Sequence, residues 1–148
     1  MIDITQDRVR LMLDEVFTMW GGMHGNVGHH SNCLEHVAEI VAAFRTSATA
    51  DEVVSKIVQI DGIGVTIATG ILWAFDPTKY VPFDKKTTGY CLTNKWMHVV
   101  NLRLGYEKIC RRIVDAAVGE CKGHESIRAL VLAAENHPEE LWVSAEWH

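Results

Sequence analysis

Ile57-Val58-Gln59-Ile60-Asp61-Gly62-Ile63-Gly64-Val65-Thr66-Ile67-Ala68-Thr69-Gly70-Ile71-Leu72 is the stretch whose reading decides the fold. Val53, Val54, Ile57 and Val58 before it share one face at helical spacing, as do Ile67, Ala68, Ile71, Leu72 and Phe75 within and after it. Thr49 followed by Glu52 forms a capping box that opens the first of these segments. Two helices therefore flank a Gly-x-Gly turn, the whole unit occupying about residues 51–75. Glycine at 62 and 64 permits positive φ and close approach of another backbone. The amides that follow open a new helix, so their N–H groups and the positive end of its dipole point outward together. Such an arrangement makes a seat for a phosphate that is independent of base sequence.

Working outward, the same punctuation recurs. Asp3 with Gln6 predicts a helix running to about Trp20, with Val9, Leu13, Val16 and Trp20 on one face. The Gly-rich run from Gly21 to Gly28 interrupts it, and Asn32 with Glu35 predicts the cap of a second helix burying Cys33, Val37, Ile40, Val41 and Phe44. After Phe75 a loop with Pro77 and Pro82 leads to Asp84, an N-cap for a helix holding Thr88, Cys91 and Leu92. Tyr106, Ile109, Cys110, Ile113, Val114 and Ala117 fit one helical face, and a last helix spans about residues 125–135. The tail, with Leu141, Trp142, Val143 and Trp147, is apolar enough to dock on the body or to serve an interface. Almost nothing reads as strand. The expectation is a single all-α domain over residues 1–148, a compact helical bundle with short connections.

A chain of 148 residues that is 48% apolar and 22% charged is neither collagenous nor low-complexity. The charge-free stretch Gly62–Phe75, 14 residues, is too short to span a bilayer, and the acidic, polar start Ile2-Asp3-Ile4-Thr5-Gln6-Asp7 is unlike a secretory signal. The expected address is the cytoplasm, with no membrane partner. Cys33, Cys91, Cys110 and Cys121 lie 58, 19 and 11 positions apart, without a C-x-x-C pair, and read as reduced core thiols. Net charge is −5, yet residues 79–112 hold Lys79, Lys85, Lys86, Lys95, Arg103, Lys108, Arg111 and Arg112 against Asp84 and Glu107, a local +6. A basic stripe within an acidic chain is an electrostatic footprint for phosphate, or else an ordinary solvated face.

The Gly-x-Gly turn between helices resembles the helix-hairpin-helix motif. Together with Pro82 and Asp84 it resembles the helix-hairpin-helix DNA glycosylase superfamily, the endonuclease III and adenine glycosylase group, over residues 50–98. The resemblance implies an all-α fold, DNA as partner (duplex or single-stranded) and Asp84 as the catalytic carboxylate. It places the phosphate contact at Gly62, Gly64, Val65 and Thr66. Bifunctional members carry a lysine two positions after the second hairpin glycine; here that position is Thr66, 18 residues before Asp84. The expected activity is therefore monofunctional: hydrolysis of the N-glycosidic bond of a modified or mismatched base, without strand cleavage through a Schiff base. The cysteine spacing lacks the iron–sulfur pattern of some members, so no cofactor is expected.

Breaking such a bond develops positive charge on C1′ and the ring oxygen, which an ionised carboxylate stabilises, and the base must first leave the stack. Trp20, Trp73, Phe75, Tyr80, Phe83 and Tyr90 are candidates for the wall of a base pocket, and Lys85, Lys86, Arg111 and Arg112 for contacts along the DNA backbone. Each has a plainer reading: Asp84 as a cap alone, the aromatic residues as core. His24, His29, His30, Cys33 and His36 cluster within thirteen residues, and His29, Cys33 and His36 at i, i+4, i+7 would suit zinc if one helix carried all three. The chain is short for a glycosylase of this group, so a homodimer or a protein partner is a further expectation. The alternative to an enzyme is a non-catalytic hairpin module that binds DNA or a protein.

Overall fold

A computed structural model of the chain describes residues 4–20, 27–97, 105–120 and 122–136. Among these residues there are eight helices and no strand, in two compact units, Met1–Phe75 and Asp76–His148. The predicted all-α class holds. Asp3, the Gly-rich residues 21–26 with His24, Cys121 and the Trp-containing tail lie outside the described residues.

The first unit contains α1 (Gln6–Met19), α2 (Val27–Glu35), α3 (Val37–Arg45), α4 (Ala50–Ile57) and α5 (Val65–Phe75). The cap of α1 is Thr5, whose hydroxyl accepts from the Arg8 amide at 3.1 Å. Val9, Met12, Leu13, Val16 and Phe17 form its buried face, packed on α5 and α3. At the far end of α5 the Arg8 guanidinium donates to the Phe75 carbonyl at 3.2 Å and lies 5.1 Å from the centre of the Phe75 ring. One side chain thus supplies a proton donor and a positive charge where a helix C-terminus lacks both.

Two local expectations are corrected. The segment after the glycines is two helices, broken at His36, whose amide bonds Cys33 O and whose carbonyl accepts from Ile40. Asn32 does not cap a helix. It lies within α2 and its side chain is used 29 residues away, on the hairpin turn. The capping box at Thr49 is present: Thr49 Oγ1 accepts from Glu52 N–H at 3.2 Å, and the Glu52 carboxylate accepts from Ala48 N–H at 3.2 Å. Val53, Val54 and Ile57 on α4 and Ile67, Ala68, Ile71 and Leu72 on α5 are buried, so the two hairpin helices meet through the faces their spacing implied. Where α5 passes α1 there is room only for glycine: a Cβ at Gly70 would lie 2.9 Å from Trp20 and 3.0 Å from Val16.

The second unit contains α6 (Lys85–Thr93), α7 (Tyr106–Ala117) and α8 (Ile127–Glu135), with α6 packed on α8. Its core gathers around Tyr106, which is 1% exposed; the phenol donates to Val81 O, and the ring meets those of Tyr80 and Phe83. Burial, with the Cys110 thiol alongside, pushes the Tyr106 phenol well above its ordinary range. Ser126 caps α8 through Ala129 N–H at 3.1 Å. Among the described residues no helix is long and apolar enough to cross a membrane.

Candidate nucleic-acid interface

The turn between α4 and α5 is closed by Ile63 N–H donating to Ile60 O at 3.1 Å. Gly62 sits at its third position with φ +81°, the conformation a type II turn requires there and glycine alone adopts without strain. Gly64 differs from what its spacing suggested. Its backbone is not left-handed, and a Cβ built on it meets nothing within 4 Å. The fold itself therefore does not demand glycine at 64. Ala68 N–H to Gly64 O, 3.0 Å, is the first i→i−4 bond of α5, so the amides of Val65, Thr66 and Ile67 precede the helix's own ladder. Gly64 is exposed, and Val65 and Thr66 are half-buried.

Asp84 caps α6 as its position implied. One oxygen, Oδ1, accepts from Thr87 N–H at 2.7 Å, and the Asp84 carbonyl accepts from the Thr88 hydroxyl. The residue is 6% exposed. Burial first, and then the negative charge of Asp84, push the neighbouring Cys91 thiol far up. Lys85 and Lys86 follow on the first turn of α6, exposed, with Lys86 Nζ 3.5 Å from the Glu135 carboxylate. Cations at the N-terminal end of a helix oppose its dipole, and the Glu135 carboxylate partly offsets this for Lys86. Arg111 and Arg112 project from the exposed side of α7.

Arg111 also lines an open cavity of about 220 Å³ with Thr78, Lys79, Tyr80, Glu107 and Val114. Burial, with Glu107 next in effect, raises the Tyr80 phenol to about 12, so at neutral pH it is a donor toward the Glu107 carboxylate 3.5 Å away.

The aromatic candidates occur in both units. In the first unit Trp73 is buried in α5, Phe75 ends that helix against Phe44, and Trp20 lies half-buried over Gly70 and edge-on to Phe17. In the second unit Tyr80 and Phe83 surround Tyr106, whereas Tyr90 packs with Trp96 and shares a 2.8 Å hydrogen bond with His124.

The histidine set does not assemble. Among the described residues there is no group of three or more His, Cys, Asp or Glu side chains placed to hold a metal ion. His29 is exposed, Cys33 is buried with its thiol raised to about 11 by burial, and His36 pairs with Glu39 at 2.9 Å beyond the helix break. Compared with protein-family models, with curated proteins and with solved structures, the chain matches none.

Two contributors escaped the sequence reading. His124 comes to Tyr90 from 34 positions away. Asn32 had a local signal, a capping pattern, that pointed to the wrong partner.

Proposed function

We propose that the chain binds DNA through the α4–α5 turn and acts as a monofunctional N-glycosylase, with Asp84 as the carboxylate that supports base loss. The observation that carries the binding half is Gly64. A helix N-terminus with open space at its cap, and no internal reason for lacking a side chain, suits a group arriving from outside. A phosphodiester oxygen accepting from the amides at 64–66 meets that description, and it reads no base. Lys85, Lys86, Arg111 and Arg112 supply the positive field that a −5 chain otherwise lacks. For excision, the Asp84 charge would offset the cation forming at C1′ while water attacks, and Thr66 in place of an amine nucleophile leaves no route to a Schiff base.

One observation favours a second reading, a binding module without chemistry: Asp84 is almost enclosed and already occupied as a cap. The test is a base-release assay over duplex and single-stranded oligonucleotides carrying modified or mismatched bases, with Asp84→Asn in parallel. Asparagine caps a helix as well as aspartate does, so the stability lost is mainly that of the charge at the helix dipole, about 0.3–1 kcal/mol. Under the glycosylase reading Asp84→Asn binds DNA and releases no base, and borohydride traps no intermediate in either protein. Binding without release by the wild-type chain leaves the DNA-binding module, and no binding to any oligonucleotide removes the glycosylase and leaves only a module for a protein partner.

A further inference from the structure

Asn32 stands where helix physics has no use for it, since asparagine is a poor helix former away from a cap. Its Nδ2 donates to Asp61 O at 2.9 Å, and the same nitrogen lies 2.7 Å from where a Cβ on Gly62 would be. The carboxamide is therefore pressed against the centre of the hairpin turn.

The peptide it holds is the one that distinguishes the two common turn types. With Ile60 and Ile63 as the closing pair, Asp61 and Gly62 are the central residues. Types I and II differ by a rotation of the peptide between them of about 150–170°, seen as φ of the third residue near −90° or near +80°. Gly62 has φ +81°. In a trans peptide the carbonyl and the next N–H point in opposite directions. Fixing Asp61 O toward α2 accordingly fixes Gly62 N–H away from α2, whereas the type I rotamer of this peptide would turn that N–H back.

We propose that Asn32 is a positioning residue for the phosphate seat: by holding the Asp61 carbonyl it selects the type II turn and aims the Gly62 amide outward beside those that open α5. This rests on the DNA-binding reading for its purpose, but the latch itself is a statement about the turn alone. Glycine at 62 does not choose between the two types, because glycine tolerates both signs of φ. The choice has to come from a partner outside the turn, and Asn32 is the side chain bonded to the peptide in question.

The experiment compares the full chain with Asn32→Ala and Asn32→Asp. The aspartate variant has nearly the same shape but presents oxygens to the Asp61 carbonyl and cannot donate when ionised. Two measurements are made. The first is the NMR cross-relaxation between Asp61 Hα and the Gly62 amide proton, strong in a type II turn and weak in type I. The second is affinity for a 20-base-pair duplex and a 20-mer single strand, alongside thermal unfolding. The expected result is a loss of the Asp61–Gly62 cross-peak in both variants. Duplex affinity should fall roughly three- to tenfold for Asn32→Ala, as for one net hydrogen bond, and further for Asn32→Asp. A Gly62→Ala background should abolish the difference made by Asn32→Ala, since the turn no longer has a latched state to lose. Retention of the cross-peak in Asn32→Ala overturns the latch, as does its loss with unchanged affinity for the role in binding. If the wild-type chain binds neither oligonucleotide, the DNA reading and the role in binding fall together, and the cross-peak alone still decides whether Asn32 sets the turn.

Discussion

Under the proposed DNA-binding reading, replacing Gly64 by aspartate should set protein stability and DNA binding against each other. The position caps α5, its backbone lies outside the left-handed region, and its Cβ direction is open. An aspartate carboxylate there can accept from the amide of Thr66 or Ile67 and meets the positive end of the helix dipole. Relative to glycine the cap gains a few tenths of a kcal/mol and the dipole about 0.3–1 kcal/mol. The melting temperature should therefore rise, by about 2–4 °C per kcal/mol for a chain of this size. A phosphate seated on the same amides would face a negative charge roughly 5 Å away, which costs about 1–3 kcal/mol for an effective dielectric between bulk water and a protein surface. That corresponds to roughly a five- to 150-fold loss of affinity, before counting the amides the carboxylate itself occupies. Gly64→Ser is the control, because serine caps comparably without the charge. Fluorescence anisotropy with a labelled duplex at about 0.1 M salt, together with a thermal scan, reads both quantities. A Gly64→Asp protein that is more stable yet binds DNA as tightly as the wild type would refute the placement of phosphate at this turn. One that is less stable would refute the account of the cap.

Three further outcomes concern the two cores. Cys33, Cys91 and Cys110 are buried, with Cys33 raised to about 11 and Cys91 further, so in a Cys121→Ser background none should react with a disulfide reagent at pH 8 until denaturant is added; prompt labelling of the native chain would contradict this. The Tyr80 phenol, 5% exposed, keeps its proton to about pH 12 in the folded state but only to about 10 when unfolded. Between those values the unfolded chain binds fewer protons, so stability falls as pH rises through this window, and Tyr80→Phe should lessen the fall. Gly70→Leu should destabilise the chain by about 2–3 kcal/mol in denaturant melts, since the new side chain would overlap Trp20 and Val16; a neutral result would mean that the contact between α1 and α5 yields easily.

What was legible in the sequence was what local chemistry decides. Thr49 with Glu52, the turn at Gly62, Asp84 as a cap and the apolar face of Tyr106–Ala117 each rest on residues within one or two turns of each other, and each appears in place, whereas the reading of Gly64 does not hold. Asn32 shows where that logic stops. The pattern Asn32-x-x-Glu35 satisfies the rule for a cap, but a stronger demand 29 residues away takes the side chain, and the helix break falls at His36. The base-pocket candidates show a second limit of spacing. Aromatic residues at helical spacing fit a core and a binding wall alike, and periodicity does not tell Tyr80, beside Tyr106, from Tyr90, beside His124. Nor does any local signal mark Phe75–Asp76 as the point where one compact unit ends and the next begins.

The contact at Gly70 has a mechanical consequence. With no side chain on α5 at this point, Val16 of α1 and Trp20 at its C-cap rest directly against the α5 backbone. Any side chain grown at position 70 would be felt first by the indole of Trp20 and the isopropyl of Val16, before any other part of the unit.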